Sequence, residues 1–437
     1  MTETAAPVSF AEALRVWARV AALSFGGPAG QIAVMHRILV DEKRWVEESR
    51  FLHALSFCTL LPGPEAQQLA TYLGWSLHGT RGGLAAGTLF VLPGFAAILA
   101  LSLVYADFGE LPAVAALFYG IKAAVLALVL EAALRIGRRV LAGRLQRITA
   151  GLAFGALFLF AVPFPVVVFA AGGFGILASR LRPELFAAIP VEPFAAPERG
   201  SAGIARALRL LAVFMPLWLG PTALCALLLG PSDVFTRLGL FFSETAIVTF
   251  GGAYAVLAYV AQRAVETYGW LSAREMLDGL GLAETTPGPL IMVVQFVGFL
   301  AAYRHADVSS PVLAGILGSL LTTWVTFVPS FLWIFLGAPY VEWLRREPRL
   351  AAALQLIMAA VVSVIANLAV WFALHVLFAR VDVLQAPWLR VSVPDFTSLD
   401  PAALALSLGA CLALLRFHVG LAATLGGSAL AGLAIRW

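Results

Sequence analysis

One short stretch, Leu61-Pro62-Gly63-Pro64-Glu65, organises the chain because it occurs twice. Its Pro-Gly-Pro core returns in Thr286-Pro287-Gly288-Pro289-Leu290, and each copy follows a Phe-Gly-Gly and a tryptophan. Three pairs of these landmarks share one separation of 225 residues: Phe25 and Phe250, Trp45 and Trp270, and Pro62 and Pro287. A register shared without a gap indicates that the chain contains an internal duplication.

The composition places the chain in a membrane. Of its 437 residues, 61% are hydrophobic and 12% are charged, whereas soluble proteins carry about 25% charged residues. The long apolar runs favour membrane-spanning helices over a β-barrel. The net charge of +4 does not indicate nucleic-acid binding, because excess Lys and Arg in membrane proteins concentrate in cytoplasmic loops. The lipid bilayer is therefore the expected surrounding, and nucleic acid is not an expected partner.

Loop charges predict that the two copies face opposite ways across the membrane. In the first copy, loop 106–110 carries only acidic charges and loop 135–147 carries five Arg. In the second copy, loop 338–349 carries three Arg, and loop 379–400 has three Asp against two Arg. Positive residues mark the cytoplasmic side, and one unmatched apolar helix, 207–229, separates the copies. The sequence therefore predicts an inverted-topology repeat.

This interpretation divides the chain into four segments. They are a first repeat at 1–179, a Pro-rich charged cytoplasmic linker at 180–206, the extra helix at 207–229 and a second repeat at 230–437. The predicted fold class is an all-α integral membrane protein. More specifically, we expect a polytopic helical bundle of two inverted-topology repeats, with helices broken at Phe-Gly-Gly and Pro-Gly-Pro.

The broken helices are the candidate anion site. A helix that restarts after Pro-Gly-Pro presents free N–H groups and the positive end of its dipole to the break, and glycine leaves room for a ligand. Two such ends from inverted halves could meet near the membrane midplane. The alternative is that Gly and Pro only permit kinks and close helix packing. The predicted substrate-binding backbone consists of Gly26, Gly27, Pro62, Gly63, Pro64, Gly251, Gly252, Pro287, Gly288 and Pro289.

Neutral polar side chains beside the breaks are candidate ligands for an oxyanion. Gln67 and Gln68 follow the first Pro-Gly-Pro, and Thr285 and Thr286 precede the second. Amide and hydroxyl groups donate hydrogen bonds without the cost of burying a charge. For the threonines, bonding to their own helix backbone is the alternative role.

Lys122 lies about halfway along the predicted span 111–134. A lysine at that depth costs ~3 kcal/mol on membrane-insertion scales, so it is a candidate substrate-binding residue. The alternatives are a buried pair with Glu131 or Glu244 and snorkelling to the membrane surface. The matching span of the second copy has no lysine, so a site that includes Lys122 would be asymmetric.

Three carboxylates near the breaks are candidates for coupling anion movement to protons: Glu65, Glu244 and Glu284. A protonated carboxyl group within the membrane can carry a proton through a transport cycle. At a helix N-terminus, Glu65 could instead cap the helix. Capping or packing is the alternative role for Glu284 as well.

The landmarks taken together are Phe25-Gly26-Gly27-Pro28, Trp45 and Pro62-Gly63-Pro64 in the first half, with Phe250-Gly251-Gly252, Trp270 and Pro287-Gly288-Pro289 in the second. This set resembles the chromate ion transporter family in its long, two-domain form. One departure is Ala253, which stands where the first half has Pro28. The resemblance implies a multi-pass protein of the inner (plasma) membrane that gives chromate resistance by efflux. Some relatives are thought to carry sulfate, so chromate or a sulfate-like oxyanion is the implied partner.

Motifs for catalysis, metals and cofactors do not appear in the sequence. The six His are scattered, the three Cys are far apart, and neither GxSxG nor GxxxxGK[ST] occurs, so we expect no metal, no cofactor and no enzymatic activity. The predicted function is a secondary transporter that exports chromate through a midplane site at the two Pro-Gly-Pro breaks. The alternatives are a transporter of sulfate or another oxyanion, an anion channel and a membrane-embedded enzyme. The oligomeric state stays open, with a homodimer among the options.

Overall fold

The structure, a computed structural model, describes residues 8–25, 27–59, 61–182, 184, 186, 201–248, 250, 253–340, 347–386 and 389–436. In chain order, the helices of the first part are α1 Phe10–Leu23, α2 Gly27–His36, α3 Glu48–Cys58, α4 Glu65–Phe108, α5 Pro112–Val140, α6 Arg144–Phe158 and α7 Phe164–Leu181. They continue as α8 Ser201–Leu228, α9 Val234–Val248, α10 Ala253–Ala261, α11 Ala273–Thr285, α12 Val293–His305, α13 Pro311–Gly337, α14 Pro348–Leu377, α15 Pro401–Cys411 and α16 Leu421–Arg436. Two strands, β1 Val381–Ala386 and β2 Leu389–Pro394, lie between α14 and α15.

Six helices within the described residues are long and apolar enough to cross a membrane. They are Glu65–Phe108, Pro112–Val140, Phe164–Leu181, Gly203–Leu228, Pro311–Gly337 and Pro348–Leu377. Their lengths reach or exceed the roughly 20 apolar residues that a bilayer requires, apart from Phe164–Leu181, which is at the lower limit. The predicted class, an all-α polytopic membrane protein, is confirmed.

The helix ends follow from the local sequence. Side-chain oxygens of Ser9, Ser310 and Asp400 accept backbone N–H groups in the first turns of α1, α13 and α15, and a cap of this kind stabilises a helix by ~1 kcal/mol. Proline occupies the first turn of α5, α13, α14 and α15, where its missing N–H has no helical partner to lose.

The two halves of the chain share an unusual element of secondary structure at matching positions. A π-helical turn spans Arg37–Glu42 and another spans Gln262–Thr267, again 225 residues apart. Each turn is followed by a helix, α3 or α11, that leads towards Pro-Gly-Pro. The π-helix is a rare element, so its return in the same register supports the internal duplication.

The first Pro-Gly-Pro opens a helical hairpin formed by α4 alone. The backbone leaves the helical conformation at His78 and at Gly79, where φ is +59°, so α4 consists of an outgoing limb before this turn and a return limb after it. The limbs pack closely. If Gly74 carried a side chain, its Cβ atom would lie only 2.5 Å from the carbonyl oxygen of Gly82, which is too close for any residue but glycine. We call this element the first hairpin.

The second Pro-Gly-Pro leads into a matching element, here called the second hairpin, in which α12 is the outgoing limb and α13 the return limb. A Cβ atom on Gly298 would lie 2.9 Å from the carbonyl oxygen of Gly318. The two return limbs also meet. Cβ atoms on Gly83 and Gly87 would lie 2.8 Å and 2.6 Å from the rings of Phe335 and Phe331. Small residues thus allow the helices to approach closely, as they do in membrane proteins generally.

The chain divides into two compact units, each assembled from segments of both halves. The first unit comprises 1–102, 193–253 and 283–344, and the second comprises 103–192, 254–282 and 345–437. Both Pro-Gly-Pro breaks belong to the first unit and Lys122 to the second. The repeat bounds at 1–179 and 230–437 stay a prediction.

The predicted linker, 180–206, and the predicted extra helix, 207–229, differ from the structure at their boundary. Helix α8 begins at Ser201, inside the segment predicted as linker. Residues 201–206 read Ser-Ala-Gly-Ile-Ala-Arg, and Ala and Arg are good helix formers. The prediction followed charge and proline content and so placed the boundary too late.

In the second unit, α14 packs against α6 and α7, and α5 packs against α16. The hydroxyl of Ser363 in α14 donates to the carbonyl of Ala150 in α6 at 2.6 Å. A Cβ atom on Gly432 in α16 would lie 2.5 Å from the backbone nitrogen of Gly120 in α5. These contacts show a tightly packed unit whose helices touch through small residues and backbone groups.

A β-hairpin replaces most of the predicted loop 379–400. Strands β1 and β2 pair antiparallel, from Val381 opposite Pro394 to Ala386 opposite Leu389. The prediction used only the charges of this segment. Its alternation of apolar and polar residues, with branched side chains on both arms, is typical of strands and was the available signal.

Candidate functional site

The first break joins α3 to α4 in the first unit. Gly63 has φ of +123°, a conformation that glycine adopts readily and other residues rarely do. A Cβ atom on Gly63 would lie 2.7 Å from both the Nε2 atom of Gln68 and the Oγ atom of Ser330. Glycine is therefore required here for its backbone conformation and for the approach of two polar side chains.

Helix α4 begins at Glu65, directly after this break. The N–H of Gln68 donates to the carbonyl of Pro64 at 3.0 Å, which closes the first turn. The N–H groups before it lie at the open end of the helix, where the backbone carries partial positive charge. The helix N-terminus predicted at the first Pro-Gly-Pro is therefore present.

Three buried polar side chains surround the start of α4. Gln67 and Gln68 are 0% exposed, and Ser330 of α13 is 1% exposed. The Nε2 atom of Gln68 donates to the carbonyl of Pro62 at 2.7 Å, and that of Gln67 donates to the hydroxyl of Thr71 at 3.1 Å. The side-chain carbonyls of both glutamines and the Ser330 hydroxyl have no hydrogen-bond partner among the described residues. Most buried polar atoms are hydrogen-bonded, so each unpaired one needs an explanation such as a bound water, an ion or a ligand.

The second break is closed by neighbouring backbone. Gly288 has φ of +94°, its N–H donates to the carbonyl of Ser24 at 2.9 Å, and its carbonyl accepts from Gln31 at 2.6 Å. A Cβ atom on Gly94 would lie 2.8 Å from the carbonyl oxygen of Pro287. The region of the first Phe-Gly-Gly therefore meets the second Pro-Gly-Pro, and the polar groups of Gly288 are occupied by protein.

The chain after the second break is also apolar. A 3₁₀ turn, Leu290–Met292, precedes α12, and these residues and Val293 are all buried. In the 225-residue register they correspond to Glu65, Ala66, Gln67 and Gln68. The four residues after each break are polar or charged at the first, apart from Ala66, and apolar at the second. This difference is visible in the sequence and could have predicted that the two breaks differ in polarity.

The remaining predicted residues at the breaks differ in their burial and in their hydrogen bonds. Thr286 is buried and donates to the carbonyl of Ala283 at 3.2 Å, which is the backbone role considered as its alternative. Thr285 is exposed, and Glu284 is buried at 4% exposure. Glu65 is half-buried at the start of α4, whereas Glu244 is exposed on α9. Gly27 begins α2 with φ of +71°. Three predicted residues lie outside the described residues: Gly26, Gly251 and Gly252.

Lys122 has an ion-pair partner in the second unit. Its Nζ lies 3.1 Å from the Oδ1 atom of Asp278, and both side chains are under 10% exposed. The hydroxyl of Tyr105 donates to the other carboxylate oxygen of Asp278 at 2.8 Å. A buried pair was considered from the sequence, but with the wrong partners. Glu131 pairs instead with Arg135 at 3.0 Å.

Asp278 lies 156 residues from Lys122 in the chain, so no local spacing pointed to their contact. An acidic residue within the apolar part of α11 was the available signal. The prediction considered Glu284 of the same helix and did not consider Asp278.

Comparison with known protein families gives a match in both halves of the chain. A family model described as "Chromate transporter" matches residues 11–176 and 236–433. These two regions contain both Phe-Gly-Gly motifs, both Pro-Gly-Pro breaks and Lys122. No solved structure matches the chain at a significant level.

Curated relatives cover most of the chain. A chromate transport protein of Pseudomonas aeruginosa is 32% identical over 402 residues, which span 90% of this chain and 86% of that protein. A probable chromate transport protein of Synechococcus elongatus is 29% identical, over 80% of this chain and 81% of its own length. A chromate transport protein of Cupriavidus metallidurans is 27% identical, over 83% and 82% respectively.

Proposed function

This chain belongs to the chromate transporter family, and we propose that it exports chromate from the cytoplasm, binding the anion at the first unit's broken helices. It is a multi-pass protein of the plasma membrane, and it is a transporter rather than an enzyme. The relatives from Pseudomonas aeruginosa and Cupriavidus metallidurans are named for chromate transport, which supports chromate as the substrate here.

The observation that carries the proposal is the environment of Gly63. A helix N-terminus, the side-chain amide of buried Gln68 and the hydroxyl of buried Ser330 converge on this glycine. A helix N-terminus stabilises a bound anion by ~0.3–2 kcal/mol, and each hydrogen bond to a charged group contributes about 1.5–3 kcal/mol. Several such contacts would offset much of the cost of removing water from a tetrahedral dianion.

The membrane potential supports export as the direction. A cell interior that is negative repels an anion, and each elementary charge gains ~2.3 kcal/mol per 100 mV. A dianion that moves outward therefore gains ~4.6 kcal/mol per 100 mV, which corresponds to a gradient of more than about 1,000-fold. An uncoupled carrier would thus already lower cytoplasmic chromate, and the chain contains no ATP-binding loop motif.

The second candidate is a carrier of sulfate or another tetrahedral oxyanion, for which chromate is incidental. Sulfate has the same charge as chromate and nearly the same tetrahedral shape. The neutral hydrogen-bond donors around Gly63 would contact only the oxygen atoms of either anion, so they would distinguish poorly between sulfur and chromium at its centre. Substrate competition separates these candidates.

The test is chromate accumulation in inverted membrane vesicles, because inversion turns export into uptake. We expect uptake that requires the protein and an energised membrane, that stops when an ionophore collapses the potential, and that excess sulfate inhibits. Vesicles containing Gly63→Leu should accumulate no chromate, whereas a matched control, Gly220→Leu, should behave as wild type because nothing lies within 4 Å of a Cβ there. Sulfate uptake without chromate uptake would overturn the substrate, and uptake of neither anion would overturn the proposal.

A further inference from the structure

Two buried hydroxyls in α13, those of Thr322 and Ser330, have no partner among the described residues. The hydroxyl of Thr322 lies against Gly298 in the second hairpin, whereas that of Ser330 lies at the first break. Thr323 and Thr326 donate to carbonyls one turn earlier in the helix, at 2.8 Å and 2.7 Å. Such back-bonding is the usual way for a helix to satisfy a buried hydroxyl. The hydroxyl of Ser330 makes no such bond and has no hydrogen-bond partner among the described residues, although the residue is 1% exposed. It is directed instead towards Gly63.

The equivalent position at the second break carries no side chain. Ser330 follows Pro329 in the return limb of the second hairpin and faces the first break. Gly94 follows Pro93 in the return limb of the first hairpin and faces the second break. Each hairpin therefore places its return limb against the break that begins the other hairpin. The first break faces the hydroxyl of Ser330, whereas the second faces Gly94, which has no side chain.

The polar groups of the two breaks are also used differently. At the second break, the N–H and carbonyl of Gly288 are both bonded to protein, and the following four residues are apolar. The side-chain carbonyl of Gln31 there has no partner among the described residues, but it can only accept a hydrogen bond. At the first break, the side chains of Gln67, Gln68 and Ser330 each retain a buried atom without a partner among the described residues. Of these atoms, the carbonyl oxygens of the glutamines only accept hydrogen bonds, whereas the hydroxyl of Ser330 can donate one. A free donor next to a helix N-terminus is what an anion site requires.

We propose that the two Pro-Gly-Pro breaks are not equivalent: the first binds the oxyanion with Ser330 as a direct hydrogen-bond donor, and the second is a closed structural joint. This inference rests on the proposed function and narrows its site from two breaks to one. The anion lies between the start of α4 and the middle of α13, and the serine hydroxyl contributes to its affinity and orientation. The second break holds the hairpin starts together and takes no ligand.

The test compares two hydroxyl deletions in the same helix, Ser330→Ala and Ser319→Ala. Ser319 is also buried, and its hydroxyl donates to the carbonyl of Gln295 at 3.4 Å. For chromate uptake in inverted vesicles, we expect S330A to raise KM by about 10-fold or more with kcat changed less than about 2-fold, because a hydrogen bond to the charged ligand is lost. S319A should keep the wild-type KM. Ser330→Thr, which retains a hydroxyl, should restore most of the affinity.

A second measurement separates ligand binding from folding. Chromate should raise the melting temperature of purified wild-type protein, since a ligand stabilises the state that binds it, and S330A should lose most of this shift. Without chromate, S330A should be at least as stable as wild type, because the hydroxyl that it removes has no hydrogen-bond partner among the described residues. Gln31→Ala, at the second break, should lower the melting temperature and leave the KM for chromate unchanged.

An unchanged KM and an unchanged chromate-induced shift in S330A would overturn the inference while wild-type transport leaves the proposed function standing. Failure of S330A to fold would also count against it, because a hydroxyl that supports the fold is not reserved for a ligand. Absence of oxyanion transport by the wild-type protein would instead be a failure of the proposed function itself.

Discussion

Gly94 and Gly288 are packed backbone against backbone, since a Cβ atom on Gly288 would lie 2.9 Å from the Cα atom of Gly94. Gly94 lies within α4, and Gly288 lies in the short joint between α11 and the turn before α12, so neither backbone can move without displacing the helices attached to it. The corresponding neighbours of Gly63 are the ends of two side chains, which can turn away. The same substitution should therefore have different effects at the two glycines.

Gly288→Ala should destabilise the protein by about 2–4 kcal/mol. A positive φ costs a non-glycine residue roughly 1–2 kcal/mol, and the clash with Gly94 adds about 1–3 kcal/mol of overpacking. Thermal unfolding of the purified protein in detergent measures this effect, with Gly220→Ala as the control at a site with open space. A melting temperature equal to that of wild type would contradict the close contact between Gly94 and Gly288.

Gly63→Ala should lose roughly 1–2 kcal/mol of stability through its positive φ but still insert and fold. It should transport chromate poorly, with kcat/KM lowered by at least about 10-fold. The methyl group would displace the ends of Gln68 and Ser330, and loss of one hydrogen bond to a charged ligand costs about 1.5–3 kcal/mol. Initial rates of uptake, normalised to the amount of folded protein in the membrane, check this prediction. Wild-type rates in the variant would remove the first break as the anion site.

The pair of Lys122 and Asp278 predicts a non-additive mutant cycle. Asp278→Leu leaves a buried ammonium group without its counter-charge and should destabilise by about 3–5 kcal/mol. Lys122→Leu should be similarly costly. The double variant, Lys122→Leu with Asp278→Leu, removes both charges from the second unit and should recover most of that stability, because a buried ion pair and an apolar replacement are often nearly equal in free energy. Unfolding measurements on the four proteins give the coupling energy.

The double variant also decides the role of Lys122, which was predicted to bind substrate. Since its fold is expected to be restored, its transport reports on the lysine itself. Loss of chromate uptake in a stable double variant would support a substrate-binding role, and wild-type uptake would assign Lys122 and Asp278 to structure alone. Additive destabilisation in the double variant would instead contradict the ion pair.

The contact between α5 and α16 predicts a large effect of a side chain at Gly120. Its Cβ position meets the backbone carbonyl of Ser428 and lies 3.1 Å from the Cα atom of Ala429. Gly120→Leu should therefore destabilise by ~3 kcal/mol or more. Gly155→Leu, where a Cβ meets nothing within 4 Å, should change stability by less than about 0.5 kcal/mol. Equal melting temperatures for the two variants would show that α5 and α16 are not in close contact.

The broken helices were predictable because Gly and Pro act locally. A Pro-Gly-Pro interrupts a helix through its own backbone chemistry, and apolar runs give membrane spans by length alone. The breaks predicted at the two Phe-Gly-Gly motifs fall partly outside the described residues. The turn of the first hairpin has the same local cause, because Gly79 adopts a positive φ where the backbone leaves the helix.

What the sequence did not reveal depends on contacts between distant residues. Asp278 reaches Lys122 and Ser330 reaches Gly63 only through the packing of helices far apart in the chain. The repeat itself also misled the prediction. It suggested two equal breaks, whereas the positions of Gln67 and Gln68 after the first break are occupied by Met292 and Val293 after the second.

The reciprocal arrangement of the hairpins has a consequence for the gene. Gly63 is approached by a serine from the other half of the chain, and Gly288 is covered by a glycine and a glutamine from the opposite half. A polypeptide that ended after α7 would contain the first break without Ser330, which packs against it. It would also contain Gly94 and Gln31 without the second break, which they contact. If the gene were split between the halves, the two products would have to be made together to assemble, and each would be an incomplete protein without the other.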